Sequence, residues 1–543
     1  MTTPERADSL TGKVDKLFAN FDRPGSPGCA LGIIKDGQFV YSRGYGSANL
    51  DYDIPLSADS VFYIASTSKQ FTAASVVLLA QQGKVSLDDN IRKYLPEIPD
   101  YGTPITIRHL LHHISGIRDY LALWDLAGER YEDVHSTADA IAIIGRQKKL
   151  NFNPGEEWLY SNSGYLLLAE IVKRASGRSL KEFAQENIFG PLGMTNTHFH
   201  DDRSVIVKNR VISYLIGPKG EFRTHTSNFE LVGDGGLMTS VTDLGKWDRN
   251  FYEPLVGGRE LVSQMQTPGK LSSGQVLDYA FALRIGKYKG LRTISHGGSL
   301  AGYRTELLRF PDQRFSVICL CNVENANPPR LAAQVADIYL AEGMQKSAGT
   351  NATAERQFIE ISEKELAAKA GSYLDESTHQ VLGISSRGGL LVVDGAGQPL
   401  RVGAVSPTEF RPVDPSQDII LRFEPLENKS GSRITVMAGT QKPVTYVPYH
   451  AVALNASQLR EYAGAYYSRE LETTYSFFEK SGKLVLKRKN GTELELDPVI
   501  KDVFRARGLT IEFARDKKGA ISQLSLNAGR VRGLQFRKQN VIS

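Results

Sequence analysis

Residues 63–75 read YIASTSKQFTAAS, with Ser66 and Lys69 three positions apart at the head of an apolar run. The run continues as FTAASVVLLA from Phe71 to Ala80 and meets Gly83. Such a stretch predicts a helix buried on all sides and closed by a glycine C′ residue. Ser66 and Lys69 then share one face of its first turn. In one reading Ser66 caps the helix and Lys69 is a solvated charge. In the other, Ser66 is a nucleophile and Lys69 its base. The positive helix end and burial both disfavour an ammonium there, which favours a proton-accepting amine. The same helix end suits an anion. The S-x-x-K spacing arises by chance about once or twice in a chain of this length, so the stretch alone does not decide.

The chain has 543 residues, 41% hydrophobic and 23% charged, with a net charge of +5. That length implies two to four domains of a globular protein. The mild charge and the lack of a dense basic run with interleaved aromatics exclude nucleic acid as an expected partner. Three cysteines, Cys29, Cys319 and Cys321, are too few for a disulfide framework and read as buried apolar thiols. No run reaches the ~20 apolar residues of a membrane span. The first residues, MTTPERADSLTGKVDKLF, lack a signal peptide pattern. The expected location is cytoplasmic, or periplasmic or secreted if a leader has been removed.

Outward from the opening stretch, ALGIIKDGQFVYSRGYG holds two alternating strands around Asp36-Gly37, a hairpin signal. Helical patterns run from about Ser66 to Leu261. Strands return in YAFALRIGKYKG, LRTISHGG and TELLRFPDQRFSVICLCNV, followed by a helix in PRLAAQVADIYLAEGM. Strands at both ends with helices between predict one antiparallel sheet closed by the chain ends and interrupted by a helical insertion. This domain is expected over residues 1–345, with a polar linker at 346–357. Beyond it, LAAKAGSY (Leu366–Tyr373) repeats as LREYAGAY (Leu459–Tyr466), and GLLVV repeats as GKLVL in the same register. Two matches in one register indicate duplication. They predict two small antiparallel barrels or sandwiches, over 358–450 and 451–543. The apolar pattern fits barrel-to-domain packing and a homo-oligomer equally well.

Two further stretches carry chemistry. In NPGEEWLYSNSGYLLLAEIVKRASG, Tyr160 and Asn162 precede a helix ending near Gly177. Capping explains that turn without chemistry. A tyrosine beside a lysine can also shuttle a proton, and an asparagine can hold a substrate carbonyl. In RTISHGGSLAGYRTELLRF, a strand delivers His296, Gly297, Gly298 and Ser299. Glycines in a strand allow close backbone approach to a ligand. The amides of Ser66 and Ser299 can then form an oxyanion hole.

Together, Ser66-Thr67-Ser68-Lys69, Tyr160-Ser161-Asn162 and His296-Gly297-Gly298 resemble the three motifs of the penicillin-recognising serine hydrolases, in the same order. PITIRHLLHHISGI, FNPGEEWLYSNSGY and GDGGLMTSVTDLGKW resemble that family's connecting segments. The resemblance covers about residues 10–345. It is closest to the branch of class C β-lactamases, D-aminopeptidases, D-Ala-D-Ala carboxypeptidases and related esterases. It implies an α/β domain, an antiparallel sheet flanked by helices, with an all-helical subdomain and the site at their junction. It implies that Ser66 becomes acylated, Lys69 and Tyr160 move protons, Asn162 positions substrate and His296 lines the facing wall. Substrate-binding positions are Asn162, Gly297, Gly298 and Ser299, with no metal or organic cofactor. Many β-lactamases and transpeptidases have lysine at the position of His296. Histidine, largely neutral near pH 7, moves the expected substrate from β-lactams towards D-aminopeptidase, amidase or esterase substrates. The D-aminopeptidase branch also carries two C-terminal barrels, where a barrel loop can limit substrate length. Deletion beyond about residue 350 should then broaden substrate size.

Other constellations are weaker. His198-x-His200-x-Asp202 opens a zinc pattern, but Arg203 follows and a helix-to-loop turn is expected there. His109, His112 and His113 read as helix-packing or capping residues. The segment around Ser299 lacks the helix an α/β-hydrolase elbow needs. A non-catalytic sensor or envelope-binding module is the alternative of another class.

Overall fold

The computed structural model describes residues 4–130, 132–344, 358–395, 399–414, 419–426, 431–439 and 443–539. The expected linker at 346–357 lies outside them. The chain divides into two compact units. One comprises Met1–Ile117, Arg130–Gly145 and Phe152–Gln345; the other comprises Arg118–Glu129, Arg146–Asn151 and Lys346–Ser543.

The first unit is built on a six-stranded antiparallel sheet. Strand β1 (Cys29–Lys35) turns through Asp36 and Gly37, both at positive φ, into β2 (Gln38–Tyr45). Strands β3 (Arg284–Tyr288), β4 (Leu291–Leu300), β5 (Tyr303–Phe310) and β6 (Phe315–Cys321) return only after the long helical stretch, and the order is β3-β4-β5-β6-β1-β2. The sheet is thus closed by the two ends of the unit, as the split pattern predicts. The helices α1 (Pro4–Phe18) and α5 (Pro328–Leu340) cover one face. Val14, Phe18, Leu31, Val317, Leu331 and Val335 share its core. The opposite face carries α4 (Val241–Asn250) and the turn that leads into α2 (Lys69–Gln81), and α3 (Asn162–Ser176) packs on α2. There α4 places Asp248 2.6 Å from Arg309 of β5, both fully buried.

The cysteine reading needs correction. Cys29 and Cys321 are directly opposed in the β1–β6 register and form a disulfide, while Cys319 stays a buried thiol. Strand pairing, which spacing along the sequence does not reveal, brings the two together. His198 and Phe199 also form a short strand, where a turn was expected. His200 follows it, its ring 5.6 Å from that of His198, and the neighbouring Asp201 accepts from Lys181.

The second unit contains two closed eight-stranded antiparallel barrels, with strands from Gly371–Leu374 to Val444–Pro448 and from Gly464–Ser468 to Val531–Lys538. Closure removes the exposed edges an open sheet would leave. The duplication survives in detail. Ser362 with Glu365, and Asn455 with Gln458, build matching capping boxes. Tyr373 and Tyr466 each donate to the carbonyl four residues back. Leu374 and Val381 of one barrel pack with Val499 and Val503 of the other.

Candidate active site

The head of α2 is preceded by a 3-10 turn, Ala65–Ser68. Ala65 holds φ at +47°, a costly conformation for a side-chain-bearing residue that turns the chain sharply before Ser66. Neither the turn nor the helix is capped by a side chain. Between Ile64 and Gln70 every residue is buried except Ser66, which is partly exposed. Ser66 is therefore the one group of this segment that a ligand reaches. The helix itself behaves as its sequence predicts: Lys69 to Leu79 are buried, and Gly83 follows at positive φ.

Lys69 is fully buried and its Nζ has three oxygen neighbours. They are Ser66 Oγ at 3.0 Å, Asn162 Oδ1 at 2.9 Å and the Asp234 carbonyl. An ammonium would donate to all three. A neutral amine would donate to the two amide-type oxygens and turn its lone pair to the Ser66 hydroxyl. The same heavy-atom geometry serves both states, so one proton can cross between Ser66 and Lys69 without rearrangement.

Asn162 opens α3, whose last turn ends at Gly177 with φ +74°. The ring of Tyr160 lies under the Lys69 ammonium position, 5.0 Å from its centroid. The Asp234 carbonyl comes from the loop 233–236, which with Leu237 is fastened along the start of α2. Thr72 donates to the Gly233 carbonyl at 2.7 Å, Tyr63 Oη accepts from Gly236 N at 3.0 Å, and Ser68 Oγ accepts from Leu237 N at 3.2 Å. A side chain at Gly233 would meet Ala169 Cβ and the Tyr165 carbonyl at 2.6 Å, so only glycine lets this loop lie on α3.

The third motif lies within β4, so the Ser299 segment is strand and not an elbow. Thr305 of β5 donates to the Ile64 carbonyl, and Thr67 Oγ1 contacts Thr305 Oγ1 at 2.9 Å. These bonds hold the sheet against the turn that carries Ser66. A Cβ at Gly298 would lie 2.2 Å from the Ile64 carbonyl and 3.2 Å from Ala65 Cβ. That is why β4 carries glycine there: it runs directly along the turn that starts Ser66. Ser299 is exposed, and Gly297 and Gly298 are half-buried.

His296 is buried, and both its ring nitrogens are engaged within the protein. Nε2 is 3.0 Å from Tyr279 Oη, and Nδ1 is 2.7 Å from the Gly297 carbonyl. Burial, aided by the Lys69 and Arg284 charges, pushes its pKa down to about 3. Its ring centroid is 6.3 Å from that of Tyr160. The wall facing Lys69 is therefore uncharged. Hydrogen bonds and ring contacts thus join Ser66, Lys69, Asn162, Tyr160 and His296, and β4 places Gly297, Gly298 and Ser299 beside them. Among the described residues, no cluster of three metal-ligating side chains includes any of these positions.

The family model for Beta-lactamase matches residues 14–341, more than half of the chain. The chain belongs to the Beta-lactamase family. It is a serine hydrolase of that family. It is 28% identical over 522 residues to a D-aminopeptidase from Brucella anthropi, covering 94% of this chain and 95% of that one. It is 33% identical over 305 residues to penicillin-binding protein 4* from Bacillus subtilis (strain 168), covering 53% of this chain and 66% of the relative. Its fold is shared with the octameric penicillin-binding protein homologue from Pyrococcus abyssi, with TM-score 0.57 and 23% identity over 81% of this chain and 99% of that one.

Three residues that meet this candidate site were not among those singled out from sequence for it: Asp234, Tyr279 and His113. Asp234 offers its backbone carbonyl to Lys69, and its sequence signal is the glycine-rich GDGG around it. His113 sits at φ +59°, just past the helix Ile107–Leu111, and accepts from Ser161 N at 3.2 Å. Of the two histidines one turn apart, His109 fits the capping reading, since it completes a capping box with Thr106. His113 does not.

Proposed function

We propose that this serine hydrolase cleaves amide or ester bonds of D-aminoacyl substrates through an acyl-enzyme on Ser66. The observation that carries the reading is the three-way coordination of Lys69 Nζ by Ser66, Asn162 and the Asp234 carbonyl. In the proposed cycle Lys69, as a neutral amine, takes the Ser66 proton while Oγ attacks the substrate carbonyl carbon. The oxyanion forms against the amides of Ser66 and Ser299 at the positive end of the helical segment. Lys69 and Tyr160 pass the proton to the leaving amine or alkoxide, the acyl bond to the leaving group breaks, and water repeats the sequence to release the acid. Asn162 holds both Lys69 and the substrate amide.

The neutral wall at His296 supports amide and ester substrates over those recognised through a carboxylate. The relative named a D-aminopeptidase, alignable over nearly the whole chain including both barrels, supports D-amino acids as the acyl part. The test is a rate panel of D-alanine p-nitroanilide, its L-isomer, a short nitrophenyl ester and a chromogenic cephalosporin, with Ser66→Ala and Lys69→Arg as controls. Arginine keeps the charge and cannot serve as a base, so both controls should lose at least about a thousandfold in kcat. D-anilide preferred over L-anilide is the expected result. Faster cephalosporin turnover would replace the reading with a β-lactamase. Absence of any fluorophosphonate or β-lactam adduct on Ser66 in folded protein would leave a non-catalytic module.

A further inference from the structure

A chain of four hydrogen bonds runs behind the site, and its two ends fix every proton in it. At one end His113 Nδ1 faces the Ser161 amide at 3.2 Å. A backbone amide only donates, so Nδ1 is the bare nitrogen and Nε2 carries the hydrogen of the neutral ring. His113 Nε2–H points at Tyr279 Oη, 3.2 Å away, and donates to it. Tyr279 Oη is 3.0 Å from His296 Nε2. At the other end His296 Nδ1 is 2.7 Å from the Gly297 carbonyl, which only accepts. Nδ1 therefore carries the hydrogen of His296, Nε2 is bare, and the Tyr279 hydroxyl donates to it. Read from either end, the assignment is the same at Tyr279.

The chain ties the turn of the second motif, at Ser161, to the strand of the third motif, at His296. Its members are packed as well as bonded. The His113 ring is 4.2 Å from that of Tyr160 and 4.9 Å from that of Tyr279. Tyr279 is fully buried.

We infer that Tyr279 and His113 are positioning residues that lock His296 in the neutral Nδ1–H form and turn its only lone pair away from substrate. The lock makes them specificity determinants, because it keeps the wall opposite Lys69 without charge and without a free donor. Substrate carboxylates find no cation there, while amides and esters lose nothing. This rests on the acyl-enzyme reading above. The charged and titratable groups facing His296 are Lys69 from α2, Tyr160 from the turn before α3, Tyr279, and Arg284 from β3. Burial opposes a second proton on the ring most strongly; Lys69 in its protonated form and Arg284 add to it.

The direct test needs no substrate. In full-length protein labelled with 15N-histidine, His296 should show the Nδ1–H tautomer and no titration from pH 8 down to pH 5. An Nε2–H tautomer, or a midpoint inside that range, overturns the proposal. Tyr279→Phe should then raise the His296 midpoint by about one pH unit, the size expected for one lost hydrogen bond. It should also raise the kcat/KM ratio of D-Ala-D-Ala to its C-terminal amide by about tenfold at pH 5. His113→Asn is the milder variant. Asparagine suits the positive φ at this position and keeps an acceptor for the Ser161 amide, so the fold should hold. It should move the His296 midpoint in the same direction by less. Variants that only lower Tm, with the His296 signals and the substrate ratio unchanged, would reduce both residues to packing and refute the inference. The histidine spectra and the fluorophosphonate labelling rate of Ser66 do not depend on which acyl group is used. A wrong substrate class and a wrong lock are therefore told apart.

Discussion

Glu306 gives the prediction whose size the structure sets most directly. It lies on β5 opposite Gly297, on the face of the sheet covered by α1 and α5, and it is buried. Its Oε2 stands 2.7 Å from the place a Cβ would occupy on Gly297, so the glycine of the third motif also makes room for this carboxyl from behind. Burial raises its pKa from the ordinary 4.5 to about 8, against smaller opposing effects from the Ser295 hydroxyl and the Arg284 charge. Between those two values the folded protein keeps a proton that the unfolded chain has lost. Stability then falls as pH rises, by about 1.4 kcal/mol per pH unit, with about 3 kcal/mol lost by pH 7 and about 5 kcal/mol above pH 8. Glu306→Gln keeps the shape and cannot ionise. Relative to wild type it should gain nothing from this source at pH 4.5, about 3 kcal/mol at pH 7 and about 5 kcal/mol at pH 9. Urea titrations at the three pH values, followed by the fluorescence of Trp158 and Trp247 in the same unit, measure the difference. A constant offset of any size is compatible with the altered hydrogen bonding of an amide. A difference that does not change with pH refutes the argument, because it means that Glu306 is ionised alike in both states.

Three other outcomes follow from the same geometry. Gly298→Ala places a methyl 2.2 Å from the Ile64 carbonyl, so β4 must move away from the Ser66 turn; kcat/KM should fall by about a hundredfold or more, far beyond what any loss of Tm explains. Arg309→Met leaves Asp248 buried without its cation and should cost about 3–5 kcal/mol in urea unfolding, most of it recovered in the Arg309→Met/Asp248→Asn double variant. Denatured, unreduced protein should alkylate at one cysteine and reduced protein at three; reduction should cost about 5 kcal/mol, since the disulfide closes a segment of 292 residues.

The parts of the candidate site that were legible in the sequence share a physical property. Ser66, Lys69, Tyr160, Asn162 and His296 are polar groups set at fixed spacing beside apolar runs, so a helix or strand model places each on a definable face. The duplicated barrels were legible for a similar reason, because a repeat in register is a local signal twice over. What escaped acts through geometry that spacing does not encode. Asp234 contributes a carbonyl, which every residue has. His113 is delivered by a positive φ after a helix end, and nothing local to RHLLHH says that its ring turns back to Ser161. Tyr279 precedes β3 and meets His296 only when the sheet is assembled. The Cys29–Cys321 pairing likewise exists only in the register of strands from opposite ends of the unit.

The boundary of the barrels escaped too, and that changes how their role has to be tested. The sequence pattern ends the catalytic region before a linker and begins the barrels after it. Yet Arg118–Glu129 and Arg146–Asn151, taken from the middle of the helical region, belong to the barrel-containing unit. Within that unit Arg118 is buried against Glu470 at 2.7 Å and donates to the Arg532 carbonyl. Glu470 also accepts from the Lys148 amide at 2.8 Å, and Tyr475 donates to the Leu126 carbonyl at 2.7 Å. Deleting everything after residue 350 would remove Glu470, Tyr475 and Arg532, and Arg118–Glu129 and Arg146–Asn151 would lose these partners and the unit they belong to. A truncated chain that loses activity therefore says nothing about substrate length. Shortening single hairpin loops of the second barrel, while keeping Glu470 and the strand Thr473–Lys480, leaves these bonds in place. If a barrel loop limits substrate length, one such variant should accept longer D-peptides at unchanged Tm. If every loop-shortened variant keeps the wild-type length profile, the barrels serve to hold Arg118–Glu129 and Arg146–Asn151, and substrate length is set elsewhere.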